Sequence, residues 1–181
     1  MAITIRRAVP ADAAELHEIA ARTFGLATPA GTRQADIDAF IAQHLSSAEF
    51  ERYLADPDRI LLLAEEPGRG PAIGYSMLVA GPIADPELAA VVAAAATGTA
   101  VELSKFYVAP DSHGTGVAAT LMAATLRAAT EAGARTCWLG VNQHNDRAAK
   151  FYAKNGFDIV GGKRFQVGEI WFDDHVRARN L

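Results

Sequence analysis

A strand, a glycine-bearing turn, a helix and a second strand succeed one another between residues 101 and 141, and this succession constrains the fold more than any other stretch of the chain. Residues 101–108 read as a strand, 110–114 as a turn, 115–132 as a helix and 135–141 as a strand. Two strands joined through a helix of this length lie parallel, because the helix carries the chain back to the edge where the first strand began. The chain is therefore expected to build a central mixed sheet flanked by helices, with at least one parallel pair. The fold class is α/β, or α+β on a stricter count.

The flanking segments complete that sheet. Ile3 and Ile5 alternate with Thr4 and Arg6 as in a short strand that stops before Pro10, where an alanine-rich helix begins with Leu16, Ile19, Ala20 and Phe24 on one face. Residues 25–31, with Pro29 inside, read as loop. Ile37, Phe40, Ile41 and Leu45 form a second apolar stripe, and Phe50 and Leu54 a third behind Ser46-Ser47, where a cap starts a new helix. The run Ile60-Leu61-Leu62-Leu63-Ala64 suits a buried strand, and turn chemistry over 68–71 leads into a partner strand at 73–79. Residues 82–98 have an alanine-rich middle that reads as a short helix or a mobile excursion. A helix over 145–155 and strands over 157–164 and 169–173 follow. With half of its 181 residues apolar and no linker or internal repeat, the chain reads as one domain over 1–181.

Charge and cysteine content narrow the function classes. Charged residues make up 21%, mixed in sign, and the net charge of -4 speaks against nucleic acid or an anionic membrane as partner. The single cysteine, Cys137, excludes an internal disulfide, and His17, His44, His144 and His175 lack ligand spacing and read as surface residues, so no metal is expected. No apolar stretch reaches the length of a signal peptide core or a membrane span. A cytoplasmic enzyme is the expectation.

The chemistry concentrates in Leu103-Ser104-Lys105-Phe106-Tyr107-Val108-Ala109-Pro110-Asp111-Ser112-His113-Gly114-Thr115-Gly116-Val117-Ala118-Ala119-Thr120-Leu121. Gly114, Gly116 and Ala118 place small residues at spacing two where a helix begins, so backbone N–H groups and the positive end of the helix dipole can meet an anion. Phosphate is the natural ligand. A Gly-x-Gly alone fits an ordinary strand-to-helix turn equally well. The dinucleotide fingerprint wants a third glycine later and a place near the first strand, and the P-loop wants Gly-Lys-Ser/Thr; neither is present. A second motif raises the specificity: Asn145-Asp146-Arg147-Ala148-Ala149-Lys150-Phe151-Tyr152-Ala153-Lys154-Asn155-Gly156-Phe157, preceded by Trp138-Leu139-Gly140-Val141.

In order and spacing these two motifs resemble those of the GNAT family of N-acetyltransferases, whose cofactor loop reads Gln/Arg-x-x-Gly-x-Gly/Ala and whose second motif reads Asn-x-x-Ala-x-x-Phe-Tyr-x-Lys-x-Gly-Phe. His113 stands where that loop usually has Arg or Gln. The helical arm with Phe24, Phe40 and Leu45, and Phe165 and Gly168 near the end, look like the PaiA-type polyamine acetyltransferases. The resemblance implies a GNAT fold whose sheet is partly split between residues 101–108 and 135–141, with the pantetheine arm of acetyl-CoA lying in the gap. It implies that the backbone of Phe106 and Val108 bonds the pantetheine amides, that His113, Gly114, Thr115, Gly116, Val117 and Ala118 cradle the pyrophosphate, and that Asn145 lies beside the pantetheine. It further implies direct transfer of the acetyl group to a primary amine, with the Val108 N–H meeting the oxyanion.

Several side chains keep two readings. Tyr152 is the candidate acid at the departing sulfur, with Phe151 filling the core in its stead, or it is a packing aromatic. Glu102 is the candidate base, acting through water, or a solvated glutamate at a strand edge. His113 donates to phosphate or points to solvent. Asp36, Asp38, Glu49 and Glu51 draw a polyamine to the arm or are simply solvated, and Trp171 and Phe165 line the acceptor pocket or a homodimer contact. The acceptor is expected to be a small amine, polyamines first; a peptide N-terminus, an antibiotic amine, or a non-catalytic acyl-CoA sensor are the alternatives.

Overall fold

The computed structural model describes residues 3–68 and 70–181; the first two residues, and residue 69 of the turn expected over 68–71, lie outside that range. Strands β1 (Thr4–Arg7), β2 (Arg59–Glu65), β3 (Gly74–Val79) and β4 (Ala100–Val108) form an antiparallel half-sheet, built from the hairpin and from the terminal strand that pairs Thr4–Arg7 with residues 62–65. Strand β5 (Thr136–Asn142) lies parallel to β4, as the crossover through one helix requires. Strands β6 (Asp158–Val167) and β7 (Ile170–Asn180) complete a seven-stranded sheet in the order β1-β2-β3-β4-β5-β7-β6. This mixed sheet between helices is the α/β arrangement expected from the sequence.

Helices α1 (Ala13–Ala27), α2 (Gln34–His44) and α3 (Ser47–Ala55) cover one face of the antiparallel half, burying Leu16, Ile19, Phe24 and Phe50 against Leu61, Leu63, Tyr75 and Met77. Ser46 caps α3, its hydroxyl accepting from the Glu49 N–H at 3.3 Å. The alanine-rich segment resolves into helix α4 (Pro86–Ala95), capped by Asp85 with Pro86 in the first turn, and it seats Val92 on Trp138 and Val176. Helices α5 (Val117–Glu131) and α6 (Asp146–Lys154) cover the opposite face, where Met122, Leu139, Tyr152 and Phe157 share one core.

Besides small shifts at α5 (expected over 115–132, observed Val117–Glu131) and β6 (expected over 157–164, observed Asp158–Val167), two boundaries differ from expectation in ways that bear on packing. Gly25 does not end α1; the helix continues to Ala27 because Phe24 packs against Phe40, with rings stacked at 4.4 Å, and carries the next turn with it. β7 is the more consequential case. It runs to Asn180 because it pairs with β5 on one side and β6 on the other, a demand of the sheet that Asp173-Asp174-His175 hides from any apolar pattern.

One irregularity positions everything that follows. β4 and β5 pair only over Ala100–Glu102 and Thr136–Trp138, after which β5 keeps its partner β7 and separates from β4. On β4 the register with β3 slips at the same level, Met77 facing Lys105 and Leu78 facing Leu103, so Ser104 is bulged out. The Ala109 N–H donates to the Ile73 carbonyl at 2.8 Å, and by strand alternation the N–H and C=O groups of Val108 and Phe106 face the gap.

Helix α5 is pinned to this sheet by a buried polar contact. Thr125 Oγ1 donates to the Leu121 carbonyl at 2.8 Å, so Ser76, 2.8 Å away, donates to Thr125; both residues are fully buried. Thr125→Val is expected to cost about 1–3 kcal/mol in denaturant unfolding, because the Ser76 hydroxyl is left without a partner, and adding Ser76→Ala is expected to restore most of the loss.

Candidate active site

Helix α5 starts from a turn with two left-handed residues, Gly114 at φ 80° and Gly116, its N-cap, at φ 93°. A side chain is strained at such angles, so glycine is required here by the backbone. A Cβ built on either would meet nothing within 4 Å, which leaves the space above the turn open. No acidic residue sits in the first turn of α5, and its leading N–H groups have no acceptors within the helix, so the turn presents donors and positive dipole to an incoming anion. Thr115 braces the turn by donating to the Ser112 carbonyl at 2.7 Å. The Val117 side chain is buried in the core and offers only its backbone, while Ala118 is half-buried at the cavity edge.

His113 follows neither sequence reading. Its Nε2 lies 2.9 Å from the Val108 carbonyl, turning the ring back against β4 rather than toward solvent or over the turn. The Val108 carbonyl that faces the gap is thereby occupied, and the Val108 N–H remains directed into it.

Two cavities open where β4 and β5 part. One, of about 200 Å³, runs from His113 and Ala118 past Val108 to Asn145, Phe151 and Tyr152. The other, of about 240 Å³, lies beneath the helical arm and reaches Glu102, Lys105, Lys163 and Asp174. They share Ala27, Phe106, Tyr107, Asn145, Ala148 and Tyr152, so a single cleft joins the glycine turn to a polar floor, and Tyr152 stands at the junction. Asn145 is the N-cap of α6, its side-chain oxygen accepting from the Ala148 N–H at 3.0 Å, and it lines both halves.

The core position expected of Phe151 is taken by Tyr152. Tyr152 is buried, its ring held among Phe106, Phe151 and Phe157 at centroid distances of 6.4, 5.6 and 5.8 Å, whereas Phe151 is half-buried and stacks on Phe106 at 5.5 Å. Burial raises the Tyr152 phenol above its ordinary range, with Tyr107 and Cys137 adding to the shift, so it keeps its proton at physiological pH. Packing and access to the cleft are thus combined in one residue. Glu102 is no solvated edge residue: it pairs with Val79 on one side and Trp138 on the other, at the last rung before the strands part, and lines the cavity.

The floor holds groups that sequence reasoning missed. Lys105 follows the bulge at Ser104, on the arm side, with its ammonium 5.7 Å from the Tyr53 ring centre; burial lowers its pKa to about 8, Glu102 opposing and Arg59 adding to the fall. Asp174, on β7, is buried and raised to about 6, again by burial first, with Lys163 opposing and Asp173 adding. Lys163 reaches the floor across Gly140, where its stem leaves no room for a Cβ. Arg147 lines the half near the glycine turn. The presence of Lys105 inside the first motif was the one available signal, masked because the bulge breaks strand alternation.

The arm carboxylates do not reach the cleft. Asp36 is bonded to Arg33 at 2.7 and 2.9 Å, Glu49 pairs with Arg52, Asp38 accepts from Gln34 on the outer surface, and Glu51 is exposed. Phe165 lines the cavity and packs on Phe40 at 5.8 Å, whereas Trp171 is exposed beside Arg164. Three histidines read as surface are instead half-buried: His17 is bonded to the Leu45 carbonyl at 2.7 Å, His44 packs its ring at a tilt against Phe40, and His175 lies on β7. No helix among the described residues is long and apolar enough to cross a membrane.

Comparison with known proteins agrees with this geometry. Residues 15–157 match the family model described as the acetyltransferase (GNAT) family. Proteins of Mycobacterium bovis and Mycobacterium tuberculosis, each named an uncharacterized N-acetyltransferase, are 45% identical over 170 residues, covering 94% of this chain and 98% of theirs. Among solved structures, the PaiA N-acetyltransferase of Thermoplasma acidophilum in complex with coenzyme A superposes with a TM-score of 0.76 at 20% identity, covering 100% of both chains. The yncA protein of Salmonella typhimurium with its cofactor acetyl-CoA gives 0.66 at 21% identity, covering 100% of this chain and 95% of that one.

Asp174 supplies a test of the floor. Its native pKa lies above the value of about 4 for an unfolded chain, so the native state holds the proton more tightly and stability falls as pH rises through that window. Relative to Asp174→Asn, the wild type is expected to lose on the order of 1–2 kcal/mol between about pH 4 and about pH 6, allowing for residual solvation, as followed by urea unfolding at each pH.

Proposed function

We propose, from the premise that this chain belongs to the GNAT family of acetyltransferases, that it acetylates a small primary amine at the junction of the two cavities. The family makes the chain an acetyltransferase that uses acetyl-CoA; the acceptor and the roles of individual residues are our reading. We take residues 1–181 as one catalytic domain acting on a small molecule.

The residues present suit the cofactor. The turn with Gly114 and Gly116 is open above and rich in backbone donors, and the Phe106 and Val108 backbone faces the gap left by the parting of β4 and β5. The chain Gly114, Thr115, Gly116, Val117 and Ala118 would hold the pyrophosphate by N–H groups, with Arg147 at hand. Phe106, Val108 and Asn145 would hold the pantetheine. The thioester supplies an activated acetyl group at the junction.

The observation that carries the reading is the place of Tyr152, whose protonated phenol stands where the two cavities meet. Tyr152 would give its proton to the departing sulfur. Glu102, across the same cavity, would take a proton from the incoming ammonium directly or through water, freeing the nitrogen lone pair for attack on the thioester carbonyl. The Val108 N–H, directed into the gap, would donate to the carbonyl oxygen as charge develops there. His113 would act at one remove, by holding the Val108 carbonyl. Polyamines remain within the reading of a small amine, although the arm carboxylates that favoured them lie outside the cleft.

Thiol release from acetyl-CoA with a panel of amines tests the activity, and absence of release with every amine would refute it. Tyr152→Phe is expected to lower kcat by about 10²-fold while leaving the calorimetric affinity for acetyl-CoA within twofold (about 0.4 kcal/mol). Gly116→Ala, strained by about 1–2 kcal/mol, is expected to weaken that affinity about tenfold, and His113→Ala to weaken it less.

A further inference from the structure

The charges on the cavity floor describe an acceptor. Two carboxylates, Glu102 and Asp174, and two ammonium groups, Lys105 and Lys163, line the same space. A site for a polycation would gather acids without bases; this floor is balanced. Lys105 is the telling member. It is enclosed by Tyr53, Glu102, Arg59 and His44, its ammonium lies on the face of the Tyr53 ring, and no carboxylate lies within 4 Å of it among the described residues. Taking an ammonium out of water without a close counter-ion is costly, and an anion arriving with the substrate would offset that cost.

We propose that the acceptor is a zwitterion, an amine that also carries a carboxylate, with the carboxylate received by the Lys105 ammonium and the amine set toward Glu102. This deepens the acetyltransferase reading and rests on it. Phe24, Phe40, Phe165 and Phe172 supply an apolar wall above the floor. An α-amino acid with an apolar side chain presents the three matching surfaces: an amine, an acid and an apolar body. Lys163 lies on Trp138 and works against Asp174, which leaves Lys105 as the cation facing the ligand. Above about pH 8 Lys105 gives up its charge, with Glu102 delaying and Arg59 hastening the loss, so binding of the acid group weakens there; His44 and Tyr53 are the other titratable groups that face it.

The experiment compares matched acceptors, apolar L-amino acids against the amines obtained by removing their carboxyl groups, together with spermidine. Thiol release and acetylated product are the readouts for wild type and Lys105→Met, and calorimetric binding of the amino acid to CoA-saturated protein is read independently. The proposal expects kcat/KM at least tenfold higher for an amino acid than for its decarboxylated partner. It expects Lys105→Met to raise KM for the amino acid at least tenfold with kcat within threefold, to weaken binding equally, and to leave the decarboxylated amine unchanged. Spermidine or the simple amines proving the better substrates, or Lys105→Met affecting both classes alike, would overturn the zwitterion while leaving the acetyltransferase intact. Thiol release with none of them would remove both readings.

Discussion

The parting of β4 from β5 after three paired residues is the constraint on which the rest of the structure depends. A parallel pair inside a sheet normally continues, because each unpaired backbone group that is shut away from water costs about as much as a lost hydrogen bond. Here β5 has β7 along its full length and β4 has β3, so each strand is satisfied on its outer side and only the facing edges are released. The bulge at Ser104 strengthens the local twist at the level where the pairing stops. What results is an edge of backbone donors and acceptors inside the protein, lined on one side by Phe106 and Val108. The gap leads to the glycine turn at one end and to the ionisable floor at the other.

Aromatic packing gives this gap its rigidity. Tyr152 is held by Phe106 from the released strand and by Phe157 from the loop that follows α6, so the phenol is fixed with respect to the strand it serves. On the opposite side the stack of Phe24 on Phe40, with Phe165 against its edge, roofs the floor with an apolar layer. Enclosure of this kind lowers the effective dielectric around Glu102, Lys105 and Asp174, which is why burial comes first among the causes of the shifts at Lys105 and Asp174.

Local patterns carried much of this into the sequence. Gly114 and Gly116 were legible because only glycine tolerates the turn, and the crossover from 101 to 141 was legible because its helix and strands have different periods. The floor was not legible. Lys105 is reached only through a bulge that shifts strand alternation by one residue, and Asp174 comes from a strand whose interior position is set by pairing on both sides rather than by its own composition. The arm carboxylates misled for a related reason: their place on two helices of the arm does not show that Arg33 and Arg52 already engage Asp36 and Glu49. Tertiary contacts, invisible along the chain, decided which charges face the cleft.

The central claim is that the released edge of β4 and the start of α5 together receive one extended ligand. Amide hydrogen exchange with and without acetyl-CoA tests this most directly. The account predicts that binding slows exchange at Phe106 and Val108 and at the amides from Gly114 to Ala118, in one concerted set, while amides of the same strand that bond to β3, such as Tyr107, change little. Protection at the turn without protection on β4, or at neither, would contradict it.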